Sequence, residues 1–310
     1  MRRILVLGSL NIDLVQRVPR MPAPGETIRG EDLQVFAGGK GANQACAAAL
    51  LGAHAEMAGM VGDDAFAARL IAELQGAGVH TRGVQTSSKP SGSATILVLP
   101  DGENVIVISP GANANISIET ALSAVESLGP EDFLLCQLEI PLPAVAAALK
   151  AAHRNQVRTI LDPAPAVTLP HDLFSSISIL TPNQSEASIL LGWDKPVETL
   201  TDAETAAREL LARGSQTVIV KMGREGCIAA NSEGTLHAPG FAVEAVDTTA
   251  AGDTFNGALS VALSEDKSLQ DALRFANAAA ALSVTRPGAV SGIPTRSEVE
   301  AFLATPAIQI

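Results

Sequence analysis

The chain has no tyrosine, a single tryptophan and only three cysteines among its 310 residues. With Trp193 alone, it has no aromatic platform on which nucleic-acid bases could stack. Cys46, Cys136 and Cys227 lie far apart, each inside an apolar helix or strand pattern. An odd, scattered set without C-x-x-C spacing reads as small buried hydrophobes, with neither disulfide nor zinc implied. Basic residues are also scarce: 21 Lys and Arg against 33 Asp and Glu give a net charge of -12. That balance argues against a nucleic-acid backbone as partner. A phosphorylated small molecule stays possible, because backbone amides hold phosphate without net positive charge.

Long apolar runs are missing as well. None approaches the roughly 20 residues that cross a bilayer. The opening Met1–Leu10 is basic and then apolar, but the run is short and passes into Asn11 and Asp13 without a small-residue cleavage site. It reads as a first strand, and the expectation is a soluble, cytoplasmic protein. The five histidines have no ligand spacing, and H-E-x-x-H, G-x-S-x-G and any Ser–His–Asp order are absent. Zinc chemistry and covalent hydrolysis are thereby set aside. A P-loop and a G-x-G-x-x-G after the first strand are absent too, so a Walker-type ATPase and a dinucleotide fold both lose ground.

What the sequence does have is rhythm. Apolar strand patterns at 4–7, 55–60, 133–137, 157–161, 177–180 and 217–220 alternate with Ala- and Leu-rich helical patterns at 42–51, 65–74, 141–152, 183–191 and 203–211. Strands written as continuous apolar runs predict a mostly parallel sheet covered by helices on both faces. From Ala112 onward this pattern is expected to run unbroken, which argues against a second independent domain. Two regions interrupt it: residues 14–38, with three prolines, and residues 91–109, which read as a hairpin around Asp101-Gly102. They are either unrelated edge decorations or one small antiparallel sheet that covers a site as a lid.

Polar residues gather where strands end, the place where open α/β sheets bind ligands. Asn11 and Asp13 follow the first strand and suit vicinal hydroxyls, although both are also ordinary turn residues. Ala37-Gly-Gly-Lys-Gly-Ala-Asn43 opens a helix, with glycines that allow close backbone approach and Lys40 as its one charge. Glu139 and Asp162-Pro-Ala-Pro-Ala166 follow further strands. Asn183 and Glu186 fit a helix capping box, and equally a site for phosphate and hydrated Mg²⁺. Lys221-Met-Gly223-Arg-Glu-Gly226 can let a nucleotide lie against backbone. Finally, Asp247-Thr-Thr-Ala-Ala-Gly-Asp253 places a carboxylate at a helix start, either as a plain cap or as a base beside an anion site.

Two signatures, Gly38-Gly-Lys-Gly-Ala-Asn43 and Asp247-Thr-Thr-Ala-Ala-Gly-Asp253-Thr-Phe-Asn-Gly257, occur with 11–13, 162–166 and 181–186 in order between them. Over nearly its full length the chain thereby resembles the PfkB carbohydrate kinase family. The resemblance implies a single ribokinase-like domain over 1–310: a three-layer α/β/α sandwich with a mostly parallel sheet and a small antiparallel β lid from about 14–38 and 91–109. It implies phosphoryl transfer from ATP to D-ribose at O5, or to another sugar or nucleoside such as deoxyribose, fructose or a keto-sugar acid. A sugar or nucleotide sensor that binds without turnover is the competing class; an intact Asp253 argues against it.

The same resemblance implies a set of residue roles. Asp253 would be the base, with the N–H groups of Ala250, Ala251, Gly252 and Asp253 as anion hole. Asn11, Asp13, Gly39, Lys40, Asn43 and Glu139 would meet the sugar. Asn183, Glu186, Lys221, Gly223, Gly226, Gly252 and Asn277 would meet ATP or ADP and its Mg²⁺. Asp247, Thr249, Ser283, Arg286, Gly288 and Gly292 would surround K⁺, where the residues alone suggest equally an Asp247–Arg286 salt link. A homodimer formed through the lid is implied as well, with no nucleic-acid or membrane partner. One departure stands out: many relatives read Gly-Ala-Gly-Asp where this chain has Ala250-Ala-Gly-Asp253, which matters only if position 250 needs positive φ.

Overall fold

The fold is a three-layer α/β/α sandwich carrying a second, smaller sheet. The structure is a computed structural model and describes residues 2–305. In chain order the first part comprises β1 (Arg3–Leu7), β2 (Asn11–Arg17), β3 (Gln34–Gly38), α1 (Lys40–Leu50), β4 (His54–Gly62) and α2 (Ala65–Gly76). Next come β5 (His80–Ser87), β6 (Gly92–Val98), β7 (Asn104–Ser109), α3 (Ile118–Val125), β8 (Phe133–Cys136) and α4 (Leu142–Arg154). Then follow β9 (Arg158–Leu161), β10 (Ile179–Leu180), α5 (Gln184–Leu191), α6 (Leu200–Leu211), β11 (Thr217–Lys221), β12 (Cys227–Asn231) and β13 (Gly234–Ala238). Helices α7 (Ala251–Ser264), α8 (Leu269–Ser283), α9 (Ala289–Gly292) and α10 (Arg296–Ala304) close the chain.

Among the described residues the large sheet has nine strands in the order β13-β12-β11-β10-β9-β8-β1-β4-β5. Strands β11 through β5 in that order pair in parallel. Side chains of a strand alternate between its faces, and β1 shows the result. Ile4 and Val6 enter a core with α1, α2, α7, α8 and α10, whereas Leu5 and Leu7 enter another with α3, α4, α5 and α6. Both faces are thus buried, which is why the central strands are apolar throughout. The αβ pattern does not run unbroken after Ala112. β11, β12 and β13 form an antiparallel meander at one edge, turned at Asn231-Ser-Glu-Gly234, where Gly234 takes φ 136.

The smaller sheet has the order β3-β2-β6-β7. Residues from 14–38 and 91–109 share it: β2–β3 and β6–β7 are antiparallel pairs, joined by a parallel β2–β6 ladder. β1 and β2 are separated only by Gly8–Leu10, so the chain passes straight from one sheet into the other. No helix among the described residues is long and apolar enough to cross a membrane. All three cysteines are free and buried.

Candidate functional site

Polar residues from both sheets converge where β1 and β8 end and α1 and α7 begin. Asn11 and Asp13 are alternate residues of β2 and so share a face. The crossing that carries them is tied down by Asn113. Its Oδ1 accepts from the Leu10 N–H at 3.0 Å, and its Nδ2 donates to Leu10 O at 3.0 Å and to Asn11 Oδ1 at 2.8 Å. Glu139, just past β8, reaches the same place. Its Oε2 accepts from Ser9 Oγ at 2.5 Å, from the Lys40 N–H at 3.1 Å and from Asn11 Nδ2 at 3.5 Å. Gly39 caps α1 at φ 92, and a Cβ there would stand 2.8 Å from the Asn11 nitrogen. Only glycine lets these two segments approach so closely. Gly38 serves Asp13 in the same way, since a Cβ at 38 would run into Asp13 Oδ2. Burial, and secondarily the charge of Glu139, pushes the Asp13 carboxyl up to about 6.

Asp253 does not cap α7. It is the third residue of the helix, 5% exposed, and its carboxylate turns inward to α1. Oδ2 accepts from Asn43 Nδ2 at 2.9 Å and Oδ1 from Gln44 Nε2 at 3.0 Å. Both donors belong to α1, whose first N–H, that of Lys40, is bonded to Glu139. Burial pushes Asp253 above its ordinary value; the Lys40 charge and the hydrogen bonds from Asn43 and Gln44 pull it back, and Asp162 adds to the rise. Lys40 is held well above the usual lysine range, chiefly by Asp253.

The start of α7 is where Ala250 matters. It lies at φ 59, ψ 13, so the condition under which alanine at this position carries strain is met. Of the four N–H groups expected to form an anion hole, that of Ala251 turns to Thr248 O at 3.3 Å. The N–H groups of Ala250, Gly252 and Asp253 have no acceptor among the described residues. Open backbone donors at a helix N-terminus are what an anion requires.

In front of them lies a cavity of 660 Å³. Lys40, Asp162, Asn183, Glu186, Lys221, Gly223, Ala250, Ala251, Gly252 and Asp253 all line it. Lys221 Nζ pairs with Asp162 Oδ1 at 2.9 Å. Asn183 and Glu186 do form the capping box of α5: Asn183 Oδ1 accepts from the Glu186 N–H at 2.9 Å and Glu186 Oε2 from the Asn183 N–H at 2.7 Å. The box leaves both on the cavity wall. Burial pushes Glu186 above its usual range, with Lys221 pulling the other way.

Gly226 and Asn277 are not on that wall. Gly226, at φ 87, lets the chain pass against Ala238 and Gly240, and Asn277 Nδ2 donates to Ala238 O at 2.9 Å and Pro239 O at 3.2 Å. They pin one loop, at Ala238–Gly240, from two sides.

The Asp247–Arg286 salt link is not made. Arg286 pairs with Glu298 at 2.6 Å. Asp247 instead accepts from the Thr249 N–H at 2.9 Å and the Gly288 N–H at 2.8 Å. Burial would raise its carboxyl, but these hydrogen bonds prevail and hold it low. The turn before α7 is thereby fastened to the loop after α8. At Gly292, a Cβ would stand 3.0 Å from Ser283 O and 3.5 Å from Arg286 O. Two carbonyls thus converge on space that a side chain would fill.

Asn113, Gln44 and Gln137 carry no motif of their own in the sequence, and Asp162 stands out there only as the first residue of a Pro-containing strand end. Gln44 directly follows Asn43, the last residue of the first signature, and that adjacency is the available signal. Asn113 sits in an unpatterned Gly-Ala-Asn-Ala-Asn turn and gave none.

A family model described as pfkB family carbohydrate kinase matches residues 1–296. The chain is 43% identical to the ribokinase of Haemophilus influenzae over 305 residues, covering 98% of this chain and 99% of that one. It is 42% identical to Bacillus subtilis ribokinase over 303 residues, covering 98% and 100%. Among solved structures, Arabidopsis thaliana ribokinase complexed with ribose and ATP superposes with a TM-score of 0.91 at 36% identity, covering 98% of this chain and 99% of that one.

Proposed function

Since the chain belongs to the pfkB family of carbohydrate kinases, we infer that it transfers the γ-phosphoryl group of ATP to the 5-hydroxyl of D-ribose. The observation that carries this reading is the position of Asp253. It accepts from Asn43 and Gln44 of α1, the helix whose first N–H, that of Lys40, is bonded to Glu139, and it opens onto the 660 Å³ cavity at the start of α7. Ribose lies against Asn11, Asp13, Gly39, Asn43 and Glu139. ATP fills the cavity, with its γ-phosphate toward the free N–H groups of Gly252 and Asp253 and its other phosphates near Lys40, Asn183 and Lys221. Asp253 takes the O5 proton as O5 bonds to the γ-phosphorus and the bond to the β-phosphate oxygen breaks, releasing ADP. The helix N-terminus stabilises charge on the transferring group, and it does so without rearrangement.

Two ions fit the residues present. Glu186 and Asn183, committed to their capping box but facing the cavity, suit Mg²⁺ held through water and phosphate oxygens. Asp247 and the carbonyls of Ser283 and Arg286 suit K⁺ behind the anion hole. Mg²⁺ supplies charge neutralisation on the phosphates, and K⁺ supplies a fixed positive field for the 247–253 turn.

The small sheet acts as a lid on the sugar and as a dimer surface. Val105, Ile106, Val107 and Ile108 of the edge strand β7 are 40–62% exposed. A bare apolar edge is an aggregation hazard unless a second copy covers it, and a two-fold pairing does so. Sedimentation should give a species near twice the 31.8 kDa chain mass; a single species at the chain mass rejects the dimer.

ADP release measured across ribose, deoxyribose, fructose and nucleosides tests the substrate. Ribose should lead, and a preference for any other acceptor rejects the assignment. Asp253→Asn should lower turnover by roughly 10²–10⁴ while ribose binding by calorimetry survives. A loss below about tenfold would mean that another group is the base.

A further inference from the structure

Gln44 is the most fully committed side chain beside Asp253. It is 1% exposed, on α1, one residue past Asn43. Its Nε2 donates to Asp253 Oδ1 and to Asp162 Oδ2, both at 3.0 Å, so both amide hydrogens are spent on carboxylates. Its Oε1 accepts from Gln137 Nε2 at 2.7 Å. Turning the amide over would set its oxygen against two carboxylates, which disfavours the reverse orientation. Through Asp162 the contacts continue to Lys221 at 2.9 Å. A continuous line of hydrogen bonds therefore joins Asp253 to the lysine on the cavity wall.

Gln137 explains why this orientation is rigid. It is fully buried just past β8, and its Oε1 has no hydrogen-bond partner among the described residues. A buried amide with an unpaired oxygen is costly; a leucine of similar size would remove that oxygen but leave the buried Gln44 Oε1 unpaired in its place. The reverse orientation would bring two amide oxygens together at Gln44. Gly8 keeps the necessary room, because a Cβ there would collide with Gln137 Oε1. The one hydrogen bond that Gln137 makes is the one that orients Gln44.

Asn43 and Gln44 hold different oxygens of Asp253. Asn43 also belongs to the sugar-binding group, so an incoming hydroxyl competes for its amide. Gln44 cannot follow, since its other hydrogen and its oxygen are both engaged. We propose that Gln44, oriented by Gln137, is a positioning residue that holds Asp253 Oδ1 throughout the reaction and leaves Oδ2 to receive the O5 proton. This rests on the reading of Asp253 as the base.

Three variants separate the possibilities: Gln44→Met, which keeps length but removes both donors, Gln137→Leu and Asp253→Asn. For each, kcat, ribose KM and the pH dependence of kcat are measured on protein whose unfolding transition shows it folded. Gln44→Met should lower kcat about tenfold or more with ribose KM changed less than about threefold. The acid limb of the kcat profile should move to higher pH, because a carboxylate that loses a donor keeps its proton more tightly. Lys40 and Asp162, the charged groups facing Asp253, are retained in all three variants. Gln137→Leu should move kcat and the acid limb the same way by a smaller amount, with stability little changed, because one unpaired buried amide oxygen replaces another. A folded Gln44→Met with kcat within about twofold of the parent and an unmoved acid limb overturns the proposal. Should Gln44→Met not fold, Gln137→Leu decides: parental kcat and acid limb overturn it. Asp253→Asn with substantial activity would sink the base assignment and this proposal together, whereas an inert Asp253→Asn beside a parental Gln44→Met removes only the positioning role.

Discussion

Asp13→Asn should make the protein more stable and a poorer enzyme, and the gain should depend on pH in a defined way. The carboxyl of Asp13 stands at about 6 against an ordinary 3.8, raised by burial and by the Glu139 charge with no offsetting hydrogen bond. Each unit is worth about 1.4 kcal/mol, which gives roughly 3 kcal/mol as the full cost of the charge; partial solvent access brings this to about 1–3 kcal/mol. The folded value lies above the unfolded one, so between about pH 4 and 6 the folded state binds more protons. Stability therefore falls as pH rises through that window, and the whole penalty is present above about 6. Asparagine resembles the protonated acid and cannot ionise. Urea unfolding at steps from pH 4.5 to 8 should show the variant more stable by about 1–3 kcal/mol above pH 7, with the gap closing as pH falls. Ribose affinity by calorimetry should drop, since a charged acceptor for hydroxyls is gone. A gap of equal size at pH 4.5 and 7.5, or a variant less stable at pH 7.5, would refute the reasoning.

Ala250→Gly should stabilise the fold by about 1 kcal/mol, a rise of roughly 1–2 °C in Tm for a chain of this size. Calorimetry measures it, and a fall in Tm would show that position 250 does not hold positive φ. Replacing Na⁺ with K⁺ at constant ionic strength should raise turnover, and Asp247→Ala should erase most of the difference. Equal rates in both salts at saturating ATP and ribose would remove K⁺ from the scheme and leave the Asp253 chemistry intact.

Much of the large sheet was legible because its signals are local. Apolar runs such as Phe133–Cys136 have no other way to satisfy burial on two faces. The strands of the small sheet were harder: Asn11–Arg17 mixes polar and apolar residues and becomes a strand through pairing with β3 and with the distant β6. β12 and β13 were missed although Gly234 marks their turn, since their apolar residues did not break the assumed αβ rhythm. At the site, ends of strands were the right place to look for Asn11, Glu139, Asn183 and Lys221. The contacts that orient them were invisible. Asn113 meets Leu10 across 103 residues and Gln44 meets Asp253 across 209, and no periodicity encodes such pairings. Gly226 and Asn277, expected beside the nucleotide, brace the loop at Ala238–Gly240; glycine in a loop and a buried amide look alike in sequence whether they touch a ligand or brace the loop that does.

The passage of the chain from β1 into β2 through Gly8–Leu10 has a mechanical meaning. Asn11 and Asp13 ride on the small sheet, while Glu139 and Asp253 are anchored to the large one. On the proposed placement a sugar held by all four would be a crosspiece between two frames, so that its grip and the angle of the frames would be a single variable. Stiffening the crossing would then alter affinity and turnover together even though no atom that touches the sugar had changed. Asn113, which clamps Leu10 on both backbone groups, is the residue that braces that joint.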